Sequence, residues 1–541
     1  MRFFLSITSV LFFIAAVFGC ARFDPEPRDQ KAFFPEAYTL YDAGAPVPEC
    51  WWTSFNSEEL NQLIEAALAG NLSLQQMNSR LLQAEQLARK AGAGRFPELS
   101  ITGETSVSRR HMQADLAASD LEVLNKRLAA LGTLLNPDVQ GGGESSFSSE
   151  LRSLQSRLQA AQTLTEASPP SSVTTVSHSY SFGLASSYEV DLWGRVRSQH
   201  QAALLELESS REDVYGAMLS LSGTVARQWL TVAANRQVLN LVNEQHTLNE
   251  TTLTLIKFRF ARGLATALDV YQQRQVTAQT ASLVPTLEES LDAALLELAV
   301  LMGKAPRNTP AIKTDVLPEV GPLPEAGLPA DLLANRPDVR ATGLRLQAAD
   351  WYVSAARADR MPAIRLSAGA SYNAEEWTAI FDNWLARLAG SLTGPLFDGG
   401  RRKAEVERTR AVVEERLAAY QLSILESVLE VELAMMREEK QAEYVELLKQ
   451  EQKAIKDTYE QAMQRYLNGV IDYLPVLTAM TQLQAVERRI VQAEFVRLQY
   501  RLQICLALGG TWMEKHGLDM PEQESVSGLT GVDETSVQSS N

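Results

Sequence analysis

The chain has 541 residues, 45% hydrophobic and 21% charged, which suits a large folded body and excludes a disordered chain. A net charge of -16 with no basic stripe excludes a nucleic-acid binder, which must neutralise phosphates. Three cysteines, at 20, 50 and 505, give neither a disulfide framework nor a Cys-x-x-Cys zinc pair, and five scattered histidines show no ligand spacing, so no metal or cofactor is expected.

The first element reads as an export signal over residues 1–19. Arg2 supplies a positive flank, and Phe3 to Phe18 form an apolar run broken only by Ser6, Thr8 and Ser9, short for a spanning helix. The run ends Val17-Phe18-Gly19-Cys20, a small residue before cysteine that resembles a bacterial lipobox, with Phe18 departing from its usual pattern. Cys20 would then start the mature chain and carry the acyl groups, and Ala21 resembles the residue after the cysteine in lipoproteins sorted to the outer membrane. An ordinary signal peptide or an uncleaved anchor is the alternative. Residues 20–50 follow as a lipidated, extended segment. No later apolar run is long enough to span as a helix, so a membrane crossing requires strands.

The rest reads as two copies of one unit, residues 51–303 and 331–513, joined by a Pro-rich linker at 304–330 and followed by a polar tail at 514–541. Arg95-Phe96-Pro97-Glu98-Leu99-Ser100-Ile101 recurs as Arg360-Met361-Pro362-Ala363-Ile364-Arg365-Leu366 at an offset of 265, with Asn71 falling on Arg336 and Ala84 on Ala349. At an offset of 206, Leu192-Trp193-Gly194-Arg195 falls on Asp398-Gly399-Gly400-Arg401, and Leu301-Met302-Gly303 on Ala507-Leu508-Gly509. Arg259-Phe260-x-x-Gly263 matches Arg465-Tyr466-x-x-Gly469 at the same offset.

Period-two alternation predicts strands at about 97–109, 178–193, 362–373 and 384–397. In the first, Leu99, Ile101, Thr105 and Val107 alternate with Ser100, Thr102, Glu104 and Ser106. Such two-faced strands suit a membrane barrel, and any one of them also suits a soluble sandwich. Four strands cannot close a barrel, whereas three copies supply twelve. If the wet face lines a lumen, Glu104, Glu189 and Asp191 predict a preference for cations. Pro97 and Gly194 are 97 residues apart but Pro362 and Gly400 only 38, so the first copy carries an insertion at about 111–177. Leu116, Leu121, Leu124, Leu128, Leu131 and Leu135 predict one helix there and Leu151, Leu154, Leu158 and Leu164 a second, parted by Gly141-Gly142-Gly143. Whether this hairpin caps a pore or decorates a surface is open.

After each strand pair comes a very long helix. Lys403 to Asn468 holds no Gly or Pro, and Arg195 to Ile256 only Gly216 and Gly223, so each predicts about sixty helical residues, roughly 90 Å. Val214, Met218, Leu221, Val225, Trp229, Val232, Leu239 and Val242 mark a packed seam. Gly263 and Gly469 fall where the helices must reverse, and Pro475 predicts a kink in the second returning helix.

Cys20, then Trp51-Trp52-Thr53-Ser54-Phe55, Ala66-Ala67-Leu68-Ala69-Gly70-Asn71 and Ala91-Gly92-Ala93-Gly94-Arg95-Phe96-Pro97, then the paired Arg-aromatic-x-x-Gly turns and Leu-Gly-like endings, come in a telling order. In that order the chain resembles the TolC-like outer-membrane factors, in particular the NodT-like efflux lipoproteins, over about residues 48 to 513. The resemblance implies a mostly α fold with a membrane β-barrel: a homotrimer whose twelve strands sit among outer-membrane lipid and continue as a long periplasmic α-helical barrel. It implies a passive exit duct for small molecules such as drugs or toxic compounds. The implied partners are a periplasmic adaptor (membrane fusion) protein and an inner-membrane pump of the proton-driven resistance-nodulation-division type. It further implies that Arg259, Phe260, Gly263 and Leu264 with Arg465, Tyr466, Gly469 and Val470 form adaptor-contacting tips. Asp269 and Asp472 become candidates for a pore constriction, although Pro475 is the repeat partner of Asp269. No phosphate-binding loop, nucleophile motif or metal cluster is present, so no enzyme activity is expected and the energy for transport must come from elsewhere. Two alternatives stand beside the efflux duct: the outer-membrane duct of a type I protein secretion system, and a periplasmic lipoprotein scaffold without a pore. Cys50 and Cys505 are open between thiols and a pair.

Overall fold

The computed structural model describes residues 23–25, 35, 38, 50–113, 122–124, 126–127, 129–130, 150, 152–154, 156–157, 159–160, 172–308, 310–321 and 329–515. Cys20, the export signal, the glycine run 141–143 and the tail beyond 515 lie outside them, as do Leu116, Leu121, Leu128, Leu131, Leu135, Leu151, Leu158 and Leu164. The chain divides into a sheet unit, Gly94–Val190 with Ala363–Thr393, and a helical unit built from the remainder.

The sheet unit holds β1 (Glu98–Gln113), β2 (Ser172–Val190), β3 (Ala363–Ala374) and β4 (Trp384–Thr393) in the order β1-β2-β3-β4. All neighbours are antiparallel, and the registers run without a bulge from Glu98↔Ser187 to Gln113↔Ser172, Tyr180↔Ala374 to Val190↔Ile364, and Ala363↔Thr393 to Tyr372↔Trp384. Directly opposed residues share a face, so one face collects Leu99, Ile101, Phe182, Leu184, Leu366, Tyr372, Trp384 and Leu388. The other collects Ser100, Thr102, Glu104, Ser181, Glu189, Arg365, Ser371 and Arg387. A one-residue slip would invert both, which is why the register is so strongly specified. Much of the greasy face is exposed: Leu388 is 82% exposed and Trp384 71%.

β1 and β2 run further than the sequence alternation suggested, because the β-branched stretch Val173-Thr174-Thr175-Val176 keeps pairing with Arg109 to Met112. The described residues between 122 and 130 and between 150 and 160 are helical.

The expected acidic wet face needs correction. Glu189 is paired with Arg365 at 3.6 Å, and Arg110 and Arg387 lie on the same face. Asp191 is not in the sheet at all: β2 ends at Val190, and the Asp191 carboxylate accepts hydrogen bonds from the N–H groups of Val196 (3.0 Å) and Arg197 (2.7 Å) at the start of a helix. Alternation continues past the point where the chain leaves the sheet, so the pattern alone misassigned it. These strands give no basis for a cation preference.

The helical unit contains α1 (Glu58–Gly70), α2 (Leu72–Ala93), α3 (Arg195–Ala261), α4 (Ala267–Ala281), α5 (Val284–Leu301), α6 (Pro337–Ala358), α7 (Arg401–Leu467) and α8 (Tyr473–Leu508). α3 and α7 each have 67 residues, about 100 Å of rise. α3 packs against α2, α4, α5, α6 and α8, and α7 against α6 and α8. Buried residues along α3 include Val214, Met218, Val225, Trp229, Val232 and Val242, the seam read from the sequence.

The two Leu-Gly-like endings close in the same way. Asn71 Nδ2 donates to the Leu301 carbonyl at 2.8 Å, and Arg336 Nη1 to that of Ala507 at 3.1 Å, so each reaches a last-turn carbonyl that its helix leaves open. Gly303 (φ 68°) and Gly509 (φ 75°) follow in the left-handed region. A Cβ on them would lie 2.0 Å from the carbonyl oxygen of Gly70 and 2.2 Å from that of Asn335.

Trp51 and Trp512 are fully buried, and Trp52 meets Trp512 edge-on with centroids 4.6 Å apart. No disulfide joins Cys50 to Cys505, and burial pushes the Cys505 thiol up to about 11. Glu438 of α7 is buried against two arginines of α8: its Oε1 lies 3.0 Å from Arg497 Nε and 3.0 Å from Arg501 Nη2.

Glu59 ties α1 to α3 and to the linker. It accepts from Trp229 Nε1 (3.0 Å), Thr314 Oγ1 (2.6 Å) and the Lys313 N–H (2.6 Å). Burial opposes its charge, but the hydrogen bonds from Thr314, Lys313 and Trp229 outweigh it and hold the carboxyl below its usual range. A carboxyl lowered in the folded state stabilises above its unfolded pKa of about 4.3, and that contribution disappears as pH falls through the folded value. Glu59→Gln should therefore be less stable than the wild type at pH 7, with the gap closing below about pH 4 in denaturant titrations. An equal gap at pH 7 and pH 3 would show that the charge plays no part.

Candidate functional site at the helix reversals

Both long helices end in one backbone motif. The Gly263 N–H donates to Phe260 O (2.9 Å) and the Leu264 N–H to Arg259 O (2.9 Å); the Gly469 N–H donates to Tyr466 O (3.0 Å) and the Val470 N–H to Arg465 O (2.9 Å). This is the paired bonding of a Schellman cap, which needs a left-handed residue, and Gly263 (φ 70°) and Gly469 (φ 73°) supply it.

The eight tip residues singled out in the sequence divide by role. Phe260, Leu264 and Val470 are 48%, 60% and 66% exposed, and Arg465 is exposed beside them, so the turns present apolar side chains to solvent. Tyr466 differs: it is buried in a cluster with Ile256, Tyr473 and Val476. The Arg259 guanidinium lies 4.7 Å over its ring and donates to the carbonyls of Tyr466 (3.3 Å) and Leu467 (3.4 Å). Arg259 and Tyr466 therefore fasten the first tip to the second.

The helices that return from the tips start differently. Thr266 Oγ1 accepts from the Asp269 N–H (3.2 Å), and the Asp269 carboxylate accepts from the Thr266 N–H (2.8 Å), a reciprocal capping box that commits the first constriction candidate to holding α4. Asp472, the second, occupies the N-cap of α8 without a side-chain cap bond. The third residue of α8 is Pro475, which has no N–H to offer. The kink predicted at Pro475 is corrected here, since in a first turn the missing N–H breaks no helical bond.

A polar network lies beside this site. The α3 seam continues beyond Val242 as Gln245, Asn249, Thr252 and Ile256, all buried. Asn249 Nδ2 donates to Thr280 Oγ1 (2.9 Å), and Gln484 Nε2 donates to Asn249 Oδ1 (3.0 Å). Gln273 Nε2 donates to the Asn249 carbonyl (3.0 Å), and its Oε1 accepts from the Tyr473 hydroxyl (2.5 Å). Burial, reinforced by Tyr459, Tyr466 and Asp269, raises the Tyr473 phenol well above its usual range and keeps it a donor. A satisfied network of this kind fixes α3, α4 and α8 in one alignment. Its signal was present as polar residues at seam spacing.

The model of the outer membrane efflux protein family matches residues 114–304 and 328–510. The pyoverdine export outer membrane protein OpmQ of Pseudomonas aeruginosa is 30% identical over 513 residues, covering 92% of this chain and 96% of OpmQ. The toluene efflux pump outer membrane protein TtgF of Pseudomonas putida is 31% identical over 350 residues, 63% of this chain and 72% of TtgF. Among solved structures, the outer-membrane channel OprN shares the fold with a TM-score of 0.72 at 24% identity, over 90% of this chain and 99% of that one.

Proposed function

The chain belongs to the outer membrane efflux protein family, and we propose that it works as the passive, trimeric exit duct of a tripartite pump for small organic molecules, tethered by lipid at Cys20. The observation that carries this reading is the two-faced, four-stranded sheet whose end strands β1 and β4 each have one open edge among the described residues. Exposed Trp384 and Leu388 suit lipid, the serine-rich face suits water, and three copies supply the twelve strands of a closed barrel. The anchor is supported by the apolar run that ends Val17-Phe18-Gly19-Cys20. Pyoverdine export by OpmQ and toluene efflux by TtgF support small organic molecules as the cargo of this chain.

Heat-resistant trimers in detergent together with single-channel currents in a planar bilayer test the duct, since a scaffold without a pore gives neither. Export of a dye rather than a secreted protein separates the efflux duct from a type I secretion duct. The adaptor would meet the apolar tips, with a proton-driven inner-membrane pump as the further partner. Replacing Leu264 and Val470 together with glutamate should preserve trimers and currents, abolish co-purification of the adaptor, and reduce export at least tenfold. Undiminished adaptor capture would remove the tips from the docking surface.

A further inference from the structure

The registers carry Ser100 across the sheet through Ala185 and Gly369 to Arg387, so these four residues share one level of the polar face. Both Arg387 and Glu104 are exposed, and neither side chain has an ion pair or hydrogen bond among the described residues. Arg387 stands on the edge strand β4 and Glu104 on the other edge strand, β1. If three copies close the barrel, as the exit-duct reading requires, β4 of one copy must pair antiparallel with β1 of the next.

Face matching allows only even staggers between copies, because an odd one would turn apolar side chains toward water. With about 3.3 Å per residue and strands about 4.8 Å apart, staggers of four or six residues per copy tilt the strands by roughly 35° or 46°. Staggers of two or eight give roughly 19° or 54°, outside the range of about 35–45° seen in such barrels. A stagger in the opposite sense would set Arg387 against residues 94 to 96, before β1 begins. A stagger of four sets Arg387 directly opposite Glu104 of the next copy, and a stagger of six makes Glu104 its diagonal neighbour, still within reach of an arginine. We propose that Arg387 of one copy and Glu104 of the next form the ion pair that seals the β4–β1 seam and fixes its register.

The test uses the full-length protein extracted from outer membranes. Arg387→Glu should shorten the half-life of the trimer in warm sodium dodecyl sulfate at least tenfold, and adding Glu104→Arg in the same chain should restore it to within about twofold of the wild type. In a second measurement, a short bifunctional thiol reagent should link Glu104→Cys/Arg387→Cys chains into covalent trimers, with the native cysteines alone as background and Arg110→Cys/Arg387→Cys left unlinked. An unchanged half-life, a failed rescue or linkage through position 110 overturns the seam while wild-type trimers and currents leave the duct reading intact. A wild-type protein with neither trimers nor currents defeats the duct reading itself.

Discussion

Replacing Glu438 with alanine is expected to cost roughly 3–5 kcal/mol of folding stability, read as a lowered urea midpoint of the detergent-solubilised protein. The residue is 1% exposed and holds Arg497 and Arg501 of α8 against α7. Arg501 is itself buried, and its Nη1 already donates to the Gly321 carbonyl at 2.9 Å, so the guanidinium cannot swing out to water when its carboxylate is lost. The cost comes from that stranded charge rather than from the attraction removed. Substituting all three members with apolar residues of similar size should therefore recover most of the loss. A deficit below about 1 kcal/mol in the single variant would mean that water reaches the site and screens it.

Gly303→Ala and Gly509→Ala should each cost about 4 kcal/mol or more, the exceptional end for a point substitution. Each combines a left-handed backbone with a Cβ driven to 2.0 or 2.2 Å from a carbonyl oxygen of another segment, and backbone cannot step aside as a side chain can. Gly263→Ala and Gly469→Ala form the control. They share the positive φ, but a Cβ there meets nothing within 4 Å, so only the left-handed strain of about 1–2 kcal/mol remains. Thermal unfolding of the four variants checks the contrast. Four equal losses would show that dihedral strain alone governs these glycines.

Much of this architecture was legible because it rests on periodicity. Alternation located the strands, and the lack of Gly and Pro after Lys403 located α7. The glycine spacing at 263 and 469 located both reversals. Residues whose partners come from distant segments were not legible. Glu438 looks like one more solvated charge in a run that includes Glu439 and Lys440, and only packing brings it to arginines 59 and 63 residues away. Tyr466 sits in an exposed turn by sequence, yet it is buried because Ile256 and Tyr473 arrive from either side. Asp269, a candidate for the pore constriction, also accepts from the Thr266 N–H and so caps α4. The spacing of that cap was visible all along as Thr266-Ala267-Leu268-Asp269.

The equal lengths of α3 and α7, 67 residues each, amount to a pair of matched rulers. Adding one residue to either would advance its tip by about 1.5 Å and rotate it by roughly 100°, taking Arg259 away from Tyr466 and the α3 seam away from its neighbours. A change in the reach of the paired tips therefore has to be made in both helices at once and in whole heptads, as two coordinated insertions. Neither tip can be moved by a single event, so the reach of the helical unit is set jointly by two separate stretches of the gene.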